Sequence, residues 1–174
     1  MDETTVSLHP PLRRCWMRQG QRKHIPAPGS PRHRHVFGAL NWRTQKVDCT
    51  TSHRKNTDSF IAFLEHLLTV CYPTQRLILV LDNASYHRSY AALAALSLFQ
   101  DRLQVIWLPK YCPYLNPIER FWLQLKNEAS ANQLHLNLDL LEVAIWQAID
   151  IQNLPGHPNR LNLKDHFRLM ATIG

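Results

Sequence analysis

The apolar positions in the middle of the chain predict a strand, a crossover helix and a second strand. Leu77–Leu81 is an unbroken apolar run that ends at Asp82, which indicates a strand buried on both faces. Tyr90–Phe99 carries apolar residues at helical spacing without Gly or Pro. Leu103–Leu108 predicts a second buried strand. Because a helical crossover makes the strands parallel, their carboxyl ends share one sheet edge, where ligands usually bind.

A second helix with a well-marked start follows these strands. The loop Lys110–Asn116 leads into a helix predicted over Pro117–Ala131, with Asn116 as its N-cap and a proline at its first position. Glu119 lies in the first turn of this helix. We therefore expect the carboxylates of Asp82 and Glu119 to meet in space.

The flanking segments complete the predicted architecture. Val36–Trp42 and Val47–Thr51 form a plausible hairpin, and Thr57–Val70 is an amphipathic helix that Thr57 and Asp58 can cap. Leu138–Ile151 is a further amphipathic helix, and Leu163–Ile173 is a candidate last short one. The order of elements predicts a mixed α/β layer fold with an antiparallel edge.

Length and composition narrow the class of protein. A chain of 174 residues predicts one domain, residues 1–174, and no apolar run approaches the ~20 residues of a membrane span. The first ten residues are polar and acidic, unlike a signal or transit peptide. The four cysteines are scattered without a CxxC pair, which favours reduced thiols in a cytosolic setting.

Positive charge is concentrated near the start of the chain. Residues 1–55 hold eleven Lys and Arg against three acids, whereas the remainder carries a net charge of −1. We interpret the Pro-, Arg- and His-rich residues 1–35 as an exposed basic loop region with a short edge strand. One-sided basic charge favours a polyanion, most naturally DNA, and a solvated basic surface is the alternative. Arg32 and Arg34 are the candidate contacts with the DNA backbone.

Two motifs carry a family resemblance. They are DNASYH at Asp82–His87 and LPKYCPYLNPIERFWLQLK at Leu108–Lys126, with support from GALNW at Gly38–Trp42 and from Asp2-Glu3. Together they resemble the DDE superfamily endonucleases, specifically bacterial insertion-sequence transposases related to Tc1/mariner. The resemblance implies an RNase H-like mixed sheet flanked by helices, and metal-dependent DNA strand cleavage and transfer. It maps the three family acids onto Asp2, Asp82 and Glu119.

Three carboxylates suit phosphodiester chemistry. Two Mg²⁺ or Mn²⁺ ions about 3.5–4 Å apart can activate the nucleophile and stabilise the leaving oxygen, and such hard ions prefer oxygen ligands. We assign Asp82 the bridging role, with Asp2 and Glu119 each holding one ion. Each acid also has a purely structural interpretation. Asp82 can start an Asx-turn, Glu119 can complete a capping box, and Asp2 can be an ordinary acid at a frayed terminus.

The motifs contain further candidates. His87 can contact a phosphate or orient a water, and it can equally cap or pack locally. Lys126 lies seven positions beyond Glu119 on the same helix face, where it is either a phosphate contact or a solvated lysine. Phe121 and Trp122 are expected in the core instead of stacking on bases.

The sequence departs from the family at its start. In the family, the first acid ends a central apolar strand that follows a helix-turn-helix region, whereas only Met1 precedes Asp2 here. We therefore expect most of the first strand and the helix-turn-helix region to be absent, with Asp2 on a mobile tail. A downstream reading frame paired with an upstream-frame polypeptide, a decayed element and an incomplete gene prediction all fit.

The prediction from sequence is the catalytic core of a DDE transposase. It would nick the ends of the insertion element and join the 3′-hydroxyl to target DNA. We expect it to self-associate in the active complex. We expect no membrane partner, and a location in the bacterial cytoplasm, at the nucleoid when it acts on DNA. Two alternatives stay open. One is a catalytically inactive truncated fragment that only binds DNA, and the other is an RNase H-like nuclease acting on RNA–DNA hybrids.

Overall fold

A computed structural model describes residues 1–22, 24–26, 29, 32–109, 115–156 and 161. Its strands are β1 (Asp2–Ser7), β2 (His33–Leu40), β3 (Val47–Ser52), β4 (Leu77–Leu81) and β5 (Leu103–Trp107). Its α-helices are α1 (Thr57–His66), α2 (Tyr90–Ser97), α3 (Ile118–Ala129) and α4 (Leu138–Asn153). A π-helical turn, Leu67–Cys71, continues α1.

The predicted elements are confirmed, with differences at their ends. The cap of α1 is Asn56, whose side chain accepts from the Ser59 amide, instead of Thr57 or Asp58. Helix α3 begins one residue later than predicted, because Pro117 holds the cap position without a side-chain bond. The predicted helix over Leu163–Ile173 lies outside the described residues.

The strands form two groups that meet at the start of the chain. Strands β1, β2 and β3 are antiparallel in that order, and β4 pairs in parallel with β5. The Met1 amino group donates to the Val80 carbonyl oxygen at 2.9 Å, so β1 begins beside β4. Asp2 is paired with Gly38 of β2 at the same point. The first residues of the chain therefore join the antiparallel and parallel strands.

The prediction that Asp2 lies on a mobile tail is wrong. Asp2 is only 7% exposed. It is the first residue of the six-residue strand β1, not the last residue of a strand. Val6 and Leu8, each 1% exposed, anchor the strand in the core. The described residues between 9 and 32 form neither helix nor strand, which agrees with the loop predicted for this basic region.

The core lies on both faces of the strands. On one face, Val36 packs with Trp122, Leu125 and Ile145 of α3 and α4. On the other face, its neighbour in β2, Phe37, packs with residues of α1, α2 and β4, namely Phe60, Phe63, Ala92, Leu79 and Leu81. Successive residues of a strand point to opposite faces, so β2 separates two helical layers. Full burial of β4 was predicted, but Ile78 is 65% exposed.

No helix in the described part of the chain is both long enough and apolar enough to cross a membrane.

Candidate active site

Asp82 follows β4 at the edge where the two parallel strands end. Its Oδ1 accepts the Ala84 amide at 3.1 Å, which is the Asx-turn considered from sequence. The neighbouring Asn83 side chain donates to the carbonyl oxygen of Leu108, just beyond β5, and so ties the two strand ends together. The Asp82 side chain is 44% exposed, and in the described structure no hydrogen bond reaches its Oδ2. The structural role of Asp82 therefore leaves one carboxylate oxygen open to a ligand.

His87 joins Asp82 to an acid that the sequence interpretation did not assign. Its Nδ1 lies 2.8 Å from Asp82 Oδ1, and its Nε2 lies 2.7 Å from Glu3 Oε1. The imidazole is fully buried and contacts the ring of Phe60 at 4.5 Å between centroids. This position does not fit the predicted contact of His87 with a DNA phosphate, because both ring nitrogens already face carboxylates.

Glu3 has two further partners. The Tyr86 hydroxyl donates to Glu3 Oε2 at 2.5 Å, and Lys55 Nζ lies 3.9 Å from the same oxygen. Lys55 also lies over the Tyr86 ring at 5.8 Å. The Glu3 side chain is 1% exposed, so these partners compensate a charge that burial alone would penalise.

The charges of this network shift its pKa values. Burial alone would lower the pKa of His87, but hydrogen bonds to Asp82 and Glu3, and their charges, raise it to about 9. The hydrogen bond from His87, with the Ala84 amide and the charge of Lys55, outweighs burial and lowers the pKa of Asp82. At neutral pH, His87 is therefore a cation between two carboxylates.

Asp2 lies on the opposite face of β1 from Glu3, as adjacent strand residues must. Its Oδ2 accepts the indole Nε1–H of Trp122 at 3.0 Å. Burial, together with the negative charges of Glu119 and Glu3, raises the pKa of Asp2 to about 6, although hydrogen bonds from the Glu3 amide and the Trp122 indole oppose the shift. Asp2 and Glu119, the latter exposed in the first turn of α3, are therefore close enough to repel each other.

The charges of three of the four acids act on Tyr86. The pKa of Tyr86 is raised first by burial and then by the charges of Glu3, Asp82 and Asp2. By residue type, these carboxylates are the donors that a hard divalent cation takes, and such a cation would offset the repulsion between Asp2 and Glu119. Within the described ranges, however, no group of three or more His, Cys, Asp or Glu is gathered into a metal site.

The residues that were predicted to contact DNA differ in how exposed they are. Arg34 is 5% exposed, and its Nε lies 2.9 Å from Glu142 Oε2, with its Nη1 2.7 Å from His53 Nδ1. The guanidinium links β2 to α4 in the interior, so its position does not favour the predicted contact of Arg34 with the DNA backbone. Arg32 is exposed, and Lys126 is half-buried on α3.

Replacing these two arginines separately should give different results. We expect Arg34→Ala to lower the free energy of unfolding by about 1.5–3 kcal/mol, because it removes a charged hydrogen bond from Glu142, which is partly exposed and keeps its bond from Thr51. Arg32→Ala should leave stability within about 0.5 kcal/mol of the parent. Urea denaturation measures both, and equal stability of the two variants would contradict the buried role of Arg34.

Two residues of this site carry weak sequence signals. Glu3 was noticed only as the neighbour of Asp2, although period-two alternation places it on the face opposite to Asp2. Trp122 was expected in the core, where it lies, but nothing in its spacing indicates that its indole reaches Asp2.

The sequence matches a family of known chemistry over most of its length. The profile of the family described as DDE superfamily endonuclease matches residues 1–142. The chain belongs to this family. The insertion element IS630 uncharacterized 39 kDa protein of Shigella sonnei is 30% identical to it over 131 residues, covering 75% of this chain and 38% of that protein.

Solved structures show the fold of this DDE family member. The Mos1 transposase paired-end complex with left transposon end superposes with a TM-score of 0.62 at 16% identity, covering 87% of this chain and 51% of that one. The Mos1 strand transfer complex gives 0.61 at 15% identity, covering 99% and 53%. The mixed α/β fold therefore matches RNase H-like transposase cores. The DDE chain spans about half of the Mos1 chain and less of the IS630 protein.

Proposed function

We propose that this chain carries the catalytic centre of a transposase that cuts and joins DNA at the ends of an insertion element. Asp2, Asp82 and Glu119 are the proposed metal ligands, with Mg²⁺ or Mn²⁺ as two ions. The observation that carries the proposal is the bond from the Met1 amino group to the Val80 carbonyl, which brings Asp2 of β1 to the end of β4, where Asp82 lies. The charge of Glu119 on α3 also acts on Asp2, and a cation would relieve this repulsion.

Asp82 keeps the proposed bridging role, with Asp2 and Glu119 each holding one ion. The bond from the Met1 amino group to the Val80 carbonyl supports the pairing of Asp2 with Asp82, because it brings the start of β1 to the end of β4. The charge of Glu119 acts on Asp2, which supports the inclusion of α3.

The described residues have distinct tasks in the proposed reaction. Bound divalent ions would supply an activated water or 3′-hydroxyl and stabilise the leaving oxygen. His87 holds the partly exposed Asp82 side chain through Oδ1, and no hydrogen bond from the described residues engages Oδ2. Arg32 and Lys126 are proposed contacts for DNA phosphates. Self-association and an upstream-frame polypeptide that recognises element ends remain part of the proposal, because the relatives are longer.

Cleavage of a plasmid that carries the insertion element tests the proposal. Cleavage should require Mg²⁺ or Mn²⁺ and stop with EDTA, and Glu119→Gln should lower the rate by about 100-fold, since a lost ligand removes part of the charge stabilisation. Glu65→Gln, at an exposed position of α1, is the matched control and should cut as the parent does. Metal-independent cutting, or full activity of Glu119→Gln, would refute the assignment.

One observation favours a second function. Because no three acids form a metal group in the part of the chain that is described, a fragment that binds DNA without cutting it is the alternative. It predicts salt-dependent DNA binding with no binding of Mn²⁺. Titration of Mn²⁺ into the DNA-free protein separates the two functions. The third possibility, an RNase H-like nuclease, predicts preferential cutting of an RNA–DNA hybrid.

A further inference from the structure

The indole of Trp122 connects two of the proposed metal ligands. Trp122 is 2% exposed, and its Nε1–H donates to Asp2 Oδ2 at 3.0 Å across the gap between α3 and β1. Glu119 lies three residues earlier on the same helix, and therefore on the same face one turn away. A single side chain thus ties the helix that carries Glu119 to the strand that carries Asp2.

Gly38 makes this approach possible. It lies opposite Asp2 in the β1–β2 ladder. A Cβ atom at Gly38 would lie 2.5 Å from Cη2 and 3.2 Å from Cζ2 of the Trp122 indole. The ring therefore occupies the space that any other residue at this position would fill. The clash would be with a rigid ring that is packed in the core, and the ring cannot rotate away at low cost.

We propose that Trp122 is a positioning residue for the Asp2 carboxylate, and that Gly38 is the residue that admits its indole. By engaging Oδ2, the indole N–H, together with the Glu3 amide, fixes the orientation in which the carboxylate meets an ion. A neutral N–H donor to a carboxylate makes a charge-assisted bond without adding a competing cation. The inference deepens the proposed function and rests on it, because Asp2 is useful in this orientation only if it binds an ion.

A purely structural role for Trp122 makes a different prediction. A core anchor would change the free energy of unfolding, but protein that remained folded would bind metal normally. Partners that orient a metal ligand typically change metal affinity by about 10–100-fold when they are removed. The affinity of the folded protein for Mn²⁺ therefore distinguishes the two roles.

The first experiment tests the contact itself without metal. The indole N–H signals of the five tryptophans are recorded in a ¹H–¹⁵N spectrum, and the Trp122 signal is identified by its loss in Trp122→Phe. We expect Asp2→Asn to move the Trp122 signal and to leave that of Trp146, on α4, in place. A Trp122 signal unmoved by Asp2→Asn would overturn the inference.

The second experiment measures Mn²⁺ binding by calorimetry to the folded full chain. Trp122→Phe and Gly38→Ala should each weaken binding by about 10–100-fold. Trp146→Phe and Gly29→Ala are matched controls, because Trp146 is 37% exposed and nothing lies within 4 Å of a Cβ at Gly29. If Gly38→Ala does not fold, Trp122→Phe decides alone.

The outcomes separate this inference from the proposed function. Parent-like Mn²⁺ affinity in folded Trp122→Phe overturns the positioning role and leaves the metal site standing. Absence of Mn²⁺ binding by the parent overturns both. Weakened binding in the two variants together with normal binding in both controls supports the inference.

Discussion

Asp82→Ala is expected to lower the rate of Mg²⁺-dependent DNA cleavage by about 1,000-fold or more. Such a loss corresponds to the several kcal/mol of transition-state stabilisation that a metal site supplies. The fold should survive, because the Asp82 side chain is 44% exposed. His87 loses one partner in this variant, but its second imidazole nitrogen stays in contact with Glu3. Cleavage of a plasmid carrying the element, at saturating Mg²⁺, gives the rate, and thermal unfolding monitors the fold.

Asp82→Asn sharpens this test. The amide oxygen can still accept the Ala84 amide and preserve the turn, but the side chain no longer carries charge. It should therefore be nearly as inactive as the alanine variant. Asp101→Ala, at an exposed turn, is the control and should retain parent activity. Parent-like cleavage by Asp82→Asn would show that the charge of Asp82 is not used.

The parts of the fold predicted from sequence are those whose signal is local. Leu77–Leu81 was predicted with its observed bounds, because a short apolar run bounded by polar residues specifies a strand without reference to other segments. The start of β1 gave no such signal. Its sequence, DETTVS, is mostly polar. Pairing with β2 holds it in the sheet, and the paired residues Asp2 and Gly38 are thirty-six positions apart. Non-local pairing is what a local pattern does not encode.

The candidate site shows the same division. The motif indicated Asp82, Glu119 and His87 as chemically important, but their contacts depend on side chains that meet only in the folded chain. Arg34 illustrates the consequence. In the sequence it belongs to a basic cluster with Arg32, yet Arg34 lies within β2 and is buried against Glu142, whereas Arg32 precedes the strand and is exposed. Composition alone gives both residues the same prediction.

His87→Ala is expected to lower the free energy of unfolding by about 3–5 kcal/mol, the usual cost of removing one partner from a buried charged pair. The imidazole is fully buried, and Glu3, 1% exposed, would keep as partners among the described residues Tyr86 and the more distant Lys55. Urea denaturation measures the change, and His24→Ala, at an exposed position, should alter it by less than about 0.5 kcal/mol.

A double-mutant cycle with Glu3→Gln identifies the cause of this loss. If His87 stabilises the protein by compensating the Glu3 charge, then His87→Ala should cost less in the Glu3→Gln background, by about 0.5–3 kcal/mol. If instead the loss came from the space vacated beside Phe60, the cost would be the same in both backgrounds. Equal costs would therefore contradict an electrostatic role for His87. A reduced cost would show that β1 and the end of β4 are joined through this imidazole, which fixes Asp82 on one side and Glu3 on the other.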